Sequence, residues 1–198
     1  MRMRDVLCGL LAGMLITGCS SVMSTRPVGE APLALVSEEW SGTWTDSEGF
    51  LEVRVVDPEA GRIEAAWIET HDSGFELERV EVSLRSGGDA VFANVLESAN
   101  DDGDAAETVE GGAGDEAAPL FAFVRVAREG DKLVLWWPEV EAFRELVEAG
   151  KLPGKVTDGK DVVLDQLSSG QLGLLTSDDS ASLYDWKDPR VLLRTGNR

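Results

Sequence analysis

Cysteine and histidine are scarce in this 198-residue chain, which has two cysteines, Cys8 and Cys19, and one histidine, His71. The common zinc sites draw four ligands mostly from these residue types, so we expect no metal site. His71 precedes Asp72 in a loop, where adjacent side chains point apart, and a solvated histidine is favoured over a catalytic dyad. We therefore expect a protein that is not an enzyme and that binds no cofactor.

Basic residues are also few. The chain has 18 lysines and arginines against 37 acidic residues, which gives a net charge of −19. This charge repels the phosphate backbone of nucleic acids, so we expect no nucleic-acid partner. Solubility explains the excess most simply, and an acidic docking surface for a basic partner is the alternative.

The N-terminal apolar run, residues 6–16, has only 11 residues. A helix needs about 20 to cross a bilayer, so this run is too short to be a transmembrane segment. Arg2 and Arg4 precede it and small residues follow, a pattern typical of a secretory signal. A buried N-terminal helix is the alternative.

Residues 16–19 read Ile-Thr-Gly-Cys, a run that resembles the processing box of bacterial lipoproteins. The resemblance implies a diacylglycerol group on the Cys19 sulfur, cleavage before Cys19 and acylation of the new N-terminus. Two or more acyl chains anchor a protein stably to a membrane. Ser20 follows instead of aspartate, which resembles lipoproteins sent to the outer membrane. We therefore expect a lipid-anchored protein of the bacterial envelope, facing the periplasm.

The lipoprotein resemblance divides the chain into three predicted segments. Residues 1–18 are the signal peptide, and residues 19–32, small, polar and interrupted by prolines, are a flexible tether. Residues 33–198 form one β-rich domain. Within it, residues 98–118 carry seven acidic residues and no aromatic or basic ones, which predicts a disordered loop. An EF-hand alignment of that loop puts Val109 where a bidentate acid is required, so it predicts no calcium site.

Period-two alternation predicts eight short strands, at 50–56, 62–69, 75–85, 90–97, 120–128, 132–137, 161–165 and 190–195. The apolar positions change parity between Leu77 and Val80, which predicts a β-bulge near Glu78 or Arg79. Residues 138–149 have helical periodicity and stop at Gly150, and a weaker helix is predicted at 168–175.

These elements predict a mostly β fold, with α+β as the alternative: an antiparallel curled sheet or small barrel with one or two short helices, one of them over an open end or edge. Gly42-Thr43-Trp44 resembles the Gly-x-Trp of lipocalins, which implies that Trp44 plugs the closed end of the barrel. Residues 133–152, a strand pair running into a helix and an Ala-Gly-Lys-Leu stretch, resemble uncharacterised bacterial envelope lipoproteins and imply no known activity.

The expected function is a non-enzymatic binding or assembly module with an envelope protein as partner. The alternative is a lipocalin-like carrier of a small apolar ligand. A pocket lined by Trp67, Phe75, Phe92 and Phe123 would favour the carrier, and a filled barrel would favour the interaction module. The candidate ligand or contact residues are Trp44, Trp67, Phe75, Phe123 and Trp136.

Overall fold

The computed structural model describes residues 20–71, 74–97, 119–157, 161–177 and 182–195, without the side chains of 69–71 and 74–76. The predicted signal peptide, Cys19 and the acidic loop at 98–118 lie outside the described residues. In chain order the elements are β1 (Val22–Ser24), β2 (Ala31–Pro32), α1 (Ser37–Trp40), β3 (Gly42–Thr45), β4 (Gly49–Asp57), β5 (Arg62–His71), β6 (Gly74–Gly87), β7 (Ala90–Glu97), β8 (Leu120–Glu129), β9 (Lys132–Trp136), α2 (Val140–Glu148), β10 (Gly154–Val156), β11 (Val162–Leu164), α3 (Ser169–Thr176) and β12 (Arg190–Arg194).

Eight strands close into an antiparallel barrel. Strands β3 to β9 each pair with the next one along the chain, and β12 pairs with both β9 and β3, which completes the ring. Alternate side chains point inward, so the barrel interior is a continuous apolar core. Its buried members include Trp44, Val53, Ile63, Trp67, Val82, Leu84, Val124, Val126, Leu133 and Leu192.

A second layer packs on the outside of β7 and β8. Phe121 and Ala122 at the start of β8 pair with β1 instead of β9, and β1 continues into β11 and β10. Helices α2 and α3 cover this extension and bury a second core between it and the barrel wall. Amphipathic helix α2 contributes Phe143, which is completely buried.

The predicted fold class, a mostly β small barrel, is confirmed. Each predicted strand and both predicted helices are present, all but the strand at 90–97 with shifted ends, and Gly150 ends α2 with a positive φ of 67°. A third helix, α1, was not predicted because it is only four residues long. Helices α2 and α3 cover a barrel wall, whereas α1 sends Trp40 into the barrel core. The longest of the described helices, α2, has nine residues, and none of them is long and apolar enough to cross a membrane.

The prediction of a flexible tether at 19–32 is wrong for the residues described, 20–32. The Ser21 backbone N–H and hydroxyl both donate to Asp161, at 2.7 and 2.9 Å. Val28 is buried, and both of its backbone groups bond to the Asn94 side chain. The small, polar composition of the segment predicted a flexible backbone. Instead, the segment forms β1 and β2, which pair with sheet edges whose backbone groups would otherwise be unpaired.

The predicted bulge in β6 is also absent. The register between β5 and β6 runs unbroken from Arg62↔Ser83 to His71↔Gly74. The parity changes because Glu78, not an apolar residue, takes the inward position, which leaves Leu77 outward and 57% exposed. The register shift lies instead in β4, between Val55 and Asp57.

Candidate functional site

One end of the barrel is closed by Trp44 and α1. Trp44 is completely buried, and its indole N–H donates to the Trp40 carbonyl oxygen at 3.3 Å. The guanidinium of Arg194, on the last strand, lies over the Trp44 ring at 5.6 Å from its centre. The one polar atom of the Trp44 ring is therefore bonded within the protein, and the lipocalin-like expectation that Trp44 is a buried plug agrees with its position.

The barrel interior contains a cavity of about 110 Å³. Its walls are apolar apart from Glu78 and Arg190; they include Trp40, Trp44, Leu51, Ala65, Trp67, Val80, Ala93, Val124, Leu135, Trp137 and Leu192. Pockets for drug-sized ligands measure roughly 300–1,000 Å³, whereas a dry protein cavity of about 150 Å³ holds benzene. The barrel is thus mostly filled, with room for a few heavy atoms.

Charged residues gather where β3 turns into β4 and where β12 begins. Arg190 Nε donates to Asp46 at 2.6 Å, and its Nη2 lies 2.9 Å from Glu48 as an ion pair. The same guanidinium stacks on Trp67, 4.2 Å from the ring centre. Glu78 pairs with Trp67 across the β5–β6 register and also lines the cavity. These residues form the barrel mouth: Asp46, Glu48, Trp67, Glu78 and Arg190.

Asp46 has a pKa below its usual value. Burial raises the pKa, but hydrogen bonds from Arg190 and from the Glu48 and Gly49 backbone, together with the Arg190 charge, outweigh it. Asp46 and Arg190 are both mostly buried, with side chains 11% and 16% exposed. Asp46, Glu48 and Glu78 outnumber Arg190 among these described residues, so this part of the mouth has an excess of acidic groups.

The predicted site residues separate into two groups. Trp44 and Trp67 lie in the barrel core. Phe92 and Phe123 do not join them: both are buried in the second core, where their rings pack edge to face at 6.5 Å. Phe92 and Phe123 therefore do not share a pocket with Trp67, the arrangement that would favour a carrier, because they occupy outward positions of β7 and β8. The Phe75 side chain lies outside what the structure describes.

Trp136 is likewise outside the barrel. Its ring lies 4.9 Å from that of Trp186, and Arg125 stacks on the Trp186 ring from 4.8 Å. Its neighbour Trp137 packs against the barrel core and lines the cavity. The prediction that these adjacent tryptophans face opposite sides of the sheet is confirmed. The one that lines the cavity is Trp137, not the candidate residue Trp136.

Sequence reasoning missed Glu78 and Arg190. Both are charged residues that point into the barrel, and the parity change in β6 was the one available signal for Glu78. Arg190 gave no such signal, because only closure of the barrel brings the start of β12 beside Asp46.

The outer wall has an apolar row near the mouth. Leu193, Thr45, Phe50, Ile68 and Leu77 are directly paired across five strands, from β12 to β6. Phe50, Leu77 and Leu193 are each about half exposed, at 45%, 57% and 51%. The row is therefore a candidate contact surface.

Among the described residues, no group of histidine, cysteine, aspartate and glutamate side chains is arranged to hold a metal ion. Comparison with protein-family models, with curated proteins and with solved structures finds no match to this chain. The barrel fold is compatible with a binding module or a carrier, and a fold alone does not distinguish the two.

Proposed function

We propose that this protein is a lipid-anchored lipoprotein of the bacterial envelope whose barrel is a non-enzymatic binding module for a small apolar group. The cavity of about 110 Å³ behind the barrel mouth carries the binding role. Apart from Glu78 and Arg190, its walls are tryptophan and aliphatic side chains, so an apolar group is favoured there over a buried polar one.

The cavity volume sets the size of that group. At about 30 Å³ for a group the size of a water molecule, 110 Å³ accommodates roughly three to four methylene-sized groups. A whole lipid or other lipocalin-sized cargo does not fit, whereas the end of an alkyl chain or a single short side chain does.

The barrel mouth determines which charge is favoured at the polar end of the ligand. Asp46 and Glu48 share Arg190, and Glu78 adds a third carboxylate at the cavity wall. A cationic end of the ligand is therefore attracted to the mouth, a neutral end is tolerated there, and an anionic end is repelled.

Three four-carbon probes test this proposal: n-butylamine, n-butanol and butanoate. The measurement is the melting temperature of the full chain in neutral maltoside micelles. Butylamine should raise it most and butanoate least, because a ligand that binds the folded state stabilises that state. Ala65→Ile fills the cavity and should abolish the response. Ala66→Ile, one residue along on the outer face of β5, is the matched control and should keep it.

A response of the same size in both isoleucine variants would show that the probes act on the micelle, and the barrel would then have no binding role. An unchanged melting temperature of the wild-type chain with all three probes would also contradict the proposal.

The lipid anchor has its own test at Cys19. Cys19→Ser should abolish acylation and cleavage, which leaves a precursor 18 residues longer than the mature chain. Mass spectrometry of the membrane fraction measures both. A serine variant that is still matured and fractionates with the outer membrane would refute the anchor and leave the barrel proposal standing.

The apolar row on the outer wall favours a second role, docking onto another envelope protein. Its in-register members leave about half of the Phe50 and Leu77 side chains in water. A photo-crosslinking residue at position 77 should give one discrete adduct in intact cells, and the same residue at exposed position 54 on β4 should not. Equal labelling at both positions would exclude the row as a specific contact.

A further inference from the structure

A polar groove runs along the segment that directly follows Cys19. It has a volume of about 680 Å³. One side is lined by Ser24, Arg26, Gly29, Glu30 and Arg85. The other side is lined by residues around the start of α3: Gln166, Leu167, Ser169 and Leu172. This volume is within the range of small-molecule sites. The groove is separate from the barrel cavity and shares no lining residue with it.

Arg26 is exposed in this groove, and among the residues described its guanidinium makes no ion pair or hydrogen bond. The other described arginines are all engaged. Six of them pair with carboxylates: Arg54, Arg62, Arg79, Arg128, Arg144 and Arg190. Arg85 and Arg194 bond to backbone carbonyls, and Arg125 stacks on aromatic rings. Arg26 is therefore the one described arginine whose guanidinium has no partner among the residues described.

Arg85 is fixed at the same groove by the backbone. Its Nε donates to the Gly29 carbonyl at 3.2 Å, and its Nη2 donates to that of Glu30 at 3.0 Å. Gly29 has a φ of +122°, and a Cβ there would lie 2.5 Å from the Arg85 Cβ. Only glycine permits this approach, so the segment is shaped to hold the second guanidinium in place.

Among the described lining residues, the groove therefore has two guanidinium groups and the exposed hydroxyl of Ser169 against the one carboxylate of Glu30. Guanidinium groups bind phosphate oxygens in pairs of parallel hydrogen bonds, and hydroxyls add single ones. We propose that this groove binds a phosphate group, with Arg26 as its main ligand and Arg85 as its fixed second donor.

The phosphate has two possible sources, a lipid headgroup and a free phosphate. Ser24 is five residues from Cys19, a span of at most about 18 Å in an extended chain. If Cys19 is acylated as proposed, the groove lies within reach of the headgroups of the same membrane. The phosphate site itself does not depend on the anchor or on the barrel ligand.

The test uses the full chain in neutral maltoside micelles and follows the Nε–H signals of Arg26 and Arg85 by NMR. One arm adds inorganic phosphate, with chloride at the same ionic strength as the reference. The other dopes the micelles with dihexanoyl phosphatidylglycerol, with dihexanoylglycerol, which lacks the phosphate, as the reference. We expect saturable shifts of both signals in at least one arm and none with either reference.

Arg26→Gln should lower the affinity for the phosphate probe, measured from the Arg85 signal, about tenfold or more. This is the effect of losing one charged hydrogen bond. The matched control is Arg54→Gln, a charge-equivalent change at an exposed arginine on the barrel wall, which should leave the affinity unchanged.

Saturation with inorganic phosphate alone would identify free phosphate as the source, and saturation with the lipid alone would identify a headgroup; both support the site. The proposal is overturned if neither probe saturates, if chloride or dihexanoylglycerol gives the same shifts, or if Arg54→Gln weakens binding as much as Arg26→Gln. None of these outcomes bears on the barrel cavity, so failure here is distinct from failure of the proposed function.

Discussion

Arg194 stacks on Trp44 and, with the same guanidinium, holds the backbone of α1. Its Nη2 donates to the carbonyl oxygens of Glu38 and Ser41, at either side of the end of this helix, while its plane lies over the indole. Trp44 in turn donates to Trp40. The pair therefore joins the first and last barrel strands to the segment that covers the barrel end.

Trp44→Ala should destabilise the protein by about 3–5 kcal/mol, the range measured for large buried aromatics. Chemical denaturation followed by circular dichroism measures the change. Trp186→Ala, on the outer side of the barrel wall, is a useful comparison because Trp186 is only partly buried. A Trp44→Ala variant that unfolds like the wild type would contradict a buried plug.

Arg194→Gln should cost about 1.5–3 kcal/mol, because the charged hydrogen bonds to the carbonyls of Glu38 and Ser41 are lost. In the double variant with Trp44→Ala the two effects should not add, since the residues share one contact. Strict additivity in that cycle would show that the stacking contributes nothing.

Asn94 should fix the segment at residues 20–32 to the barrel. Its Oδ1 accepts from the Val28 N–H at 2.6 Å and its Nδ2 donates to the Val28 carbonyl at 3.1 Å, all of it buried. Asn94→Ala leaves these backbone groups without partners, which costs about 1–3 kcal/mol. Hydrogen exchange of the Val28 amide should accelerate strongly in the variant. Fast exchange already in the wild-type protein would restore the tether prediction.

Deletion of residues 101–116 should leave stability almost unchanged, because the entropy of closing a loop grows slowly with its length. The segment has no aromatic residue and no basic one. The melting temperature should fall by less than about 2–4 °C, the shift that corresponds to 1 kcal/mol in a domain of this size. A larger fall would mean that the segment packs on the domain or binds an ion.

The Asp46–Arg190 pair should make stability depend on acid pH. Because the pKa of Asp46 is lowered in the folded state, its stabilisation is complete above the unfolded pKa of about 3.9 and is lost as the pH falls through the lower folded value. Asp46→Asn should lower the free energy of unfolding by about 1.5–3 kcal/mol near neutral pH. The gap to the wild type should shrink below about pH 4.

Urea titrations between pH 2.5 and 7 measure that gap. The control is Glu59→Gln, an exposed carboxylate that makes no ion pair among the residues described, and its gap should be small throughout. A gap for Asp46→Asn that stays constant down to pH 2.5 would exclude a lowered pKa as the cause.

The strand pattern determined most of the fold. Period-two alternation in residues 50–56 and 62–69 reflects strands with one apolar face, and a set of such strands with short turns can bury those faces by curling into a barrel. The helix at 138–149 was likewise predictable, because its apolar stripe and the glycine after it are local features.

The tertiary structure alone decided which aromatic residues share a cavity. Trp67 and Phe123 have the same local pattern, but one faces the barrel core and the other faces the second core, since β8 has buried surfaces on both sides. The same holds for the segment at 20–32, whose composition is that of a linker. Its structure comes from sheet edges and from Asn94, partners that are distant in the chain, and no local propensity encodes such contacts.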